Sequence, residues 1–317
     1  MTKNENIRED SALTNFNRFL DELKQEVSDL AGDEYTVNIM PVTKNNGVRM
    51  TGMTIIRPGD QVSPNLYLNG WYDCYKSGMS VRQVAEHLME LYRESVPKGP
   101  FDANELFSPD MVRGNLVYRI VNRERNRKLL TEIPHRDFLD LSLVYYVLVH
   151  SRQLGEGAVL MRDESMRAWG LAREELDEVA RANTKRLLPS DFLSITAMLK
   201  DLEKKSDTVT YPDMEIEEQS MDTPMYVLTN SERQYGACYL ADRDVVAQIA
   251  EEMSDDLFLL PSSIHECMVL PCGFGGDPEK LADLVREINR TQVAAEDYLG
   301  DSVYYYCRET GDLEIAA

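Results

Sequence analysis

FLDLSLVYYVLVHSRQLGEGAVLM, residues 138–161, decides the class of fold. Residues 138–149 are strongly apolar and rich in Val and Tyr, whose branched or flat side chains suit a pleated surface. Residues 157–161 supply a partner strand after a Gly-containing turn, so the stretch predicts a β-hairpin. Downstream, residues 162–171 and 174–188 carry helical spacing, the second with Leu176, Val179, Ala180, Asn183 and Leu187 on one side. A further helix is expected over 192–202, and a second hairpin over 226–229 and 236–240. Tyr146-Val147-Leu148 with Ser151 and Leu160 aligns without gaps to Tyr226-Val227-Leu228 with Ser231 and Leu240, so either a duplication or packing alone explains the similarity. Residues 245–253 read as a helix, 257–260 and 268–270 as strands, and 302–307 as the last strand. Between them, Asp277 and Pro278 have the side chains that open a helix.

Upstream, residues 14–32 place Phe16, Phe19, Leu20, Leu23, Val27 and Leu30 on one helical face between a Thr14 cap and a Gly32 stop. Strands follow at 35–40, 48–56 and 65–68, with turn chemistry at Asn45-Asn46-Gly47. Ser80 with Gln83 forms a capping-box pattern ahead of Val81, Val84, Ala85, Leu88 and Tyr92. Val96-Pro97-Lys98-Gly99-Pro100 cannot continue that helix. It divides the chain into an N-terminal unit, 1–99, and a C-terminal unit, 100–317, with an acidic connection at 203–224. Residues 109–130 carry Val112, Leu116, Val117, Ile120 and Val121 and are expected to be helical. Hairpins and helices without a strict β-α-β alternation define an α+β fold of repeated hairpin-plus-helix units with mixed or antiparallel sheets.

In the 317 residues, 34 Lys and Arg stand against 55 Asp and Glu, a net charge of −21. That balance disfavours phosphate backbones and anionic membranes, which need a positive field. The first residues lack the apolar core of a secretory signal, and no run of about 18 apolar residues offers a membrane span. Five scattered cysteines without a Cys-x-x-Cys pair fit a reducing compartment, so a cytoplasmic location is expected.

Chemistry concentrates at Ser262, Ser263, His265, Glu266 and Cys267, where hydroxyls, an imidazole, a carboxylate and a thiol lie between two strands. A hydrolase would need one of those nucleophiles within hydrogen-bond reach of His265. The bland alternative is a polar turn whose side chains hold the strands together. The stretch lacks Gly-x-Ser-x-Gly and the second histidine of a zinc helix. Arg119, Arg123 and Arg127 recur every four residues and would share a helix face suited to a phosphate or carboxylate, or else serve as internal ion-pair partners. His135 and Asp137, with Asn183, complete the candidate ligand-binding residues. No metal site and no cofactor are expected, and Gly273-Phe274-Gly275-Gly276 lacks the pattern of a phosphate cradle.

Four pieces, LYLNGWYDCYKSG (66–78), NRERNRKLLTEIPHRDFLDL (122–141), NTKRLLP (183–189) and residues 226–271 around LPSSIHECMVLP, resemble an uncharacterised family from gut Firmicutes, domain of unknown function 5688. The resemblance implies a bacterial intracellular protein and assigns no catalytic role. It draws attention to the polar residues inside the matching pieces, among them Asn122. The expected function is non-enzymatic interaction with a protein or small molecule, as an accessory protein. The alternatives are a hydrolase using Ser or Cys near His265 and an acidic mimic of nucleic acid.

Overall fold

Residues spaced three and four apart build the first helix, α1 (Lys3–Ala31), and put Phe19, Leu23 and Val27 completely inside. It starts well before Thr14, so Thr14 is an interior residue and not a cap. Gly32, at φ +95°, ends it in the left-handed conformation that glycine adopts without a Cβ clash. In this computed structural model, residues 3–59, 63–96, 108–151, 155–198 and 225–317 are described. The acidic connection at 203–224 and the division at 99–100 lie outside them.

The chain forms two compact units: the first comprises Met1–Lys44, Val48–Leu106 and Val149–Gly157, the second Asn45–Gly47, Phe107–Leu148 and Ala158–Ala317. In the first, β1 (Thr36–Thr43), β2 (Arg49–Ile56) and β3 (Leu66–Tyr67) make an antiparallel sheet in that order. Next comes α2 (Asn69–Lys76), which carries Trp71 and Tyr72. α3 (Val81–Ser95) opens with the expected capping box between Ser80 and Gln83. Its Val84, Ala85, Leu88, Met89 and Tyr92 close a core with Phe19, Leu23, Val27, Met53 and Ile55.

The second unit departs from the sequence reading at residues 109–130. They form a short helix, α4 (Pro109–Asn115), a strand, β4 (Leu116–Asn122), and a single turn, α5 (Arg127–Leu130). LVYRIVN is buried on both faces of its sheet. A strand covered on both sides has a continuous apolar run, which periodicity cannot tell from a buried helix, and its Val, Ile and Tyr side chains suit the strand. β5 (His135–Phe138) and β6 (Leu141–Ser151) complete an antiparallel sheet of order β4-β6-β5, and β7 (Gly155–Leu160) pairs with β6 as the hairpin predicted.

After α6 (Asp163–Ala168) and α7 (Arg173–Leu187), β8 (Ser190–Ser194) occupies a place where a helix was expected from residue 192. β8 pairs with β9 (Tyr226–Asn230), and β9 with β11 (Cys267–Pro271). Residues 236–241 form a 3-10 turn, so the second hairpin, and with it the proposed correspondence to β6–β7, is absent. α8 (Arg243–Met253), β10 (Leu257–Leu260), α9 (Pro278–Thr291), β12 (Tyr304–Tyr306) and β13 (Leu313–Ile315) finish the unit. The second antiparallel sheet has the order β13-β12-β10-β11-β9-β8, with β13 an addition to the single closing strand anticipated. A shared core joins the two sheets of this unit: Tyr118, Leu143 and Tyr145 from one, Leu228, Leu259, Cys267 and Tyr304 from the other, with Tyr239 and α8 beside them. The fold is α+β with antiparallel sheets. Among the described residues no helix is long and apolar enough to cross a membrane.

Candidate functional site

The turn between β10 and β11 is tied down by its backbone before any side chain acts. Ile264 N–H donates to Asp297 O at 2.8 Å, Leu299 N–H to Ser262 O at 3.0 Å, and Ser263 bridges to Tyr298. The carbonyl of His265 receives two donors, Gly236 N–H at 2.9 Å and the Thr229 hydroxyl at 2.9 Å. Its own N–H donates to Ser263 Oγ at 3.1 Å. LPSSIHE is therefore held as a rigid polar corner, with Ser262 and Ser263 buried.

The imidazole is engaged at both nitrogens. Nδ1 accepts the Tyr235 amide at 3.2 Å, and Nε2 faces Asp297 Oδ1 at 3.3 Å. An Nδ1 that accepts leaves the ring proton on Nε2, pointed at the carboxylate. Ser263 Oγ is occupied by the amide of His265, and no hydroxyl or thiol bonds the ring among the described residues. Cys267 points into the core, fully buried, and burial pushes its thiol well up, away from the reactive thiolate. Glu266 is pushed up by burial, against a smaller opposite effect from His265. The nucleophile–base contact that a hydrolase would need is thus not formed among the described residues, and the corner has the geometry of a polar turn that holds the strands together. His265→Ala should cost about 1–3 kcal/mol in urea denaturation by leaving the Tyr235 amide without its acceptor. His265→Asn, which returns a side-chain oxygen near the Nδ1 position, should recover most of that loss.

The three arginines do not share a helix face. Arg119 lies in β4, Arg123 in the turn after it, and Arg127 in α5. Arg127 pairs with Glu124 at the surface, and Arg123 reaches Asp137 at 3.4 Å. Arg119 is different. Its guanidinium carbon sits 3.4 Å from the centre of the Tyr235 ring and 4.1 Å from that of Tyr146, a cation between two aromatic faces. Burial lowers its pKa from the ordinary arginine value, against the smaller upward pulls of Tyr146 and Tyr235. Strand register puts Arg119, Val144 and His135 in one row across the sheet, on one face. His135 donates from Nδ1 to Ile133 O at 3.1 Å, and Asp137 accepts the Ser142 hydroxyl at 3.1 Å. These two share a face with Arg119 but hold the sheet rather than converge on a ligand.

Asn183 belongs elsewhere. From α7 its amide donates to Arg113 O at 2.8 Å and Leu116 O at 3.0 Å, clamping the junction of α4 and β4. Asn122 likewise serves the backbone, donating to Leu299 O at 2.9 Å and accepting from Arg125 N–H at 2.8 Å.

Sequence reasoning missed Tyr235, which links the two clusters. Its amide fixes His265 and its ring covers Arg119, and the two rings lie 5.2 Å apart. It adopts φ 59°, a left-handed conformation that is costly for an aromatic residue and is sustained by those contacts. Only the following Gly236 marks the place in the sequence. Among the described residues, no group of three or more His, Cys, Asp or Glu side chains is placed to hold a metal ion.

The profile of a family of unknown function (DUF5688) matches residues 16–308. No curated protein and no solved structure matches the chain.

Proposed function

Because the chain belongs to that family of unknown function, no activity accompanies its membership, and we propose that it acts by binding a protein or small ligand, as a non-enzymatic accessory protein. The observation that carries this reading is the state of His265. With Nδ1 accepting from Tyr235 and Nε2 facing Asp297, the ring has no lone pair to take a proton from Ser262, Ser263 or Cys267. The buried, upshifted Cys267 thiol supports it further. Scattered cysteines without a Cys-x-x-Cys pair fit a cytoplasmic setting, and the family resemblance implies a bacterial one.

Covalent probes test the proposal. The folded chain, treated with a fluorophosphonate and separately with iodoacetamide and read by peptide mass spectrometry, should leave Ser262, Ser263 and Cys267 unmodified. Stoichiometric labelling of any of them, abolished by His265→Ala, would overturn it in favour of a hydrolase.

The net charge of −21 favours one further reading, a protein that occupies the basic groove of a nucleic-acid-binding partner. Competition with duplex DNA for such a partner, lost at high salt, separates the two.

A further inference from the structure

Within the second unit, Arg113, Arg123, Arg136, Arg162, Arg173 and Arg181 each pair with a carboxylate. Arg119 makes no ion pair among the described residues: its charge meets the Tyr146 and Tyr235 rings. Other arginines of this unit, such as Arg125 and Arg243, also lack an ion pair among the described residues but are exposed; Arg119 is partly buried, and a guanidinium drawn out of solvent without a carboxylate calls for a reason.

The geometry supplies one. Aromatic faces on both sides stabilise the cation without neutralising it, and they leave its in-plane N–H donors as the open edge. None of its nitrogens is both sealed from solvent and unpartnered, and no side chain among the described residues accepts from them, so they reach solvent. Both walls are fixed. Tyr146 lies within β6, two positions from the row that pairs Val144 with Arg119. Tyr235 is pinned by the His265 ring in its left-handed conformation. A planar fork of donors, held in place and partly desolvated, is the arrangement that recognises two oxygens at once.

We propose that Arg119, clamped between Tyr146 and Tyr235, is a binding site for the oxyanion group, carboxylate or phosphate, of a small molecule. This deepens the binding reading by naming the ligand class and does not depend on the absence of chemistry at His265. The acidic surface repels long polyanions and gives no steering to small ones, so the ligand is held by contact at the fork.

The test titrates the purified full chain with inorganic phosphate and, separately, with acetate at constant ionic strength set by chloride. It reads the NMR resonance of the Arg119 Nε–H group and the thermal midpoint. The expected result is a saturable shift of that resonance with at least one anion, accompanied by a rise in midpoint. Saturation by phosphate alone identifies a phosphoryl group, by acetate alone a carboxylate, and by both their shared chemistry. Arg119→Lys, which keeps the charge but loses the fork, should bind at least tenfold more weakly. Arg119→Met, which keeps much of the packing, should give no saturable rise in midpoint. A linear, unsaturated response to both anions in the unmodified chain would overturn the proposal, as would an equal saturable midpoint rise in Arg119→Met. If Arg119→Met fails to fold, the titration of the unmodified chain and the Lys variant decide alone. Probe labelling at Ser262 or Cys267 would overturn the non-enzymatic reading while leaving this site standing, so the two failures are distinguishable.

Discussion

Gly236→Ala should unfold the second unit at markedly lower denaturant, with an expected loss of about 3 kcal/mol, near the top of the range for overpacking. A Cβ at this position would lie 2.4 Å from Thr229 Oγ1, 2.5 Å from Asn230 N and 2.6 Å from Thr229 C. Two of those atoms are backbone in β9, a strand paired on both sides, so no side chain can swing away to make room. The obstacle is steric and not conformational, because the φ of Gly236 is not positive. Its N–H donates to the His265 carbonyl, so a displaced residue 236 takes Tyr235 and the LPSSIHE corner with it. At about 2–4 °C per kcal/mol for a unit of this size, the fall in thermal midpoint is easily read by circular dichroism. Gly70→Ala is the control: that glycine is exposed in α2 with nothing within 4 Å, and a change within about 0.5 kcal/mol is expected. An equal effect from the two substitutions would refute the steric account.

Asp140→Ala is expected to cost about 2–5 kcal/mol in urea denaturation, with Asp140→Asn costing clearly less. The Asp140 carboxylate receives the Tyr304 hydroxyl and, at 2.8 Å, the Ser302 hydroxyl. Tyr304 is fully buried and burial pushes its pKa up, with Asp140 adding to that effect, so the hydroxyl remains a neutral donor. Removing the acceptor leaves that hydroxyl without a partner and without access to water, at about 1–3 kcal/mol for each stranded group. The contact also joins the two sheets of the unit, since Asp140 lies in the turn from β5 to β6 and Tyr304 in β12. Leu139, beside Asp140 in that two-residue turn, is held at φ 52°, and the bonds to Asp140 help sustain this unfavourable conformation. Tyr304→Phe, which removes donor and hydroxyl together, should be milder than Asp140→Ala. The reverse order would mean that the carboxylate itself destabilises the fold.

Most of the architecture is legible in the chain wherever period and punctuation agree. α3 has its capping box, α9 its Asp277 cap and Pro278, and β6–β7 its apolar Val- and Tyr-rich run and glycine turn. β4 was not legible, because a strand buried on both faces loses the alternation that would identify it. Residues 236–240 were misread for a related reason: six successive buried residues from Gly236 to Ala241 look like a strand, yet the left-handed Tyr235 turns them into a 3-10 coil. At the candidate site, the sequence placed Ser262, Ser263, His265 and Cys267 in one corner but could not show which atoms they face. His265 and Cys267 are two apart, so one strand would put them on one side. In the fold the ring belongs to the corner and the thiol to the core. The Arg119 clamp was out of reach, since Tyr146 and Tyr235 come from distant parts of the chain and meet only through β4 and the 3-10 coil.

The six-stranded sheet ends in β13, only three residues long, and in β8, whose Ser190, Asp191 and Ser194 are polar. Such borders offer a foreign strand few free amides and carbonyls, and Asp191 and Glu314 place negative charge on them. Two copies meeting there would also bring together surfaces of the same sign, each from a chain of net charge −21. These borders therefore resist the edge-to-edge templating that seeds fibrils.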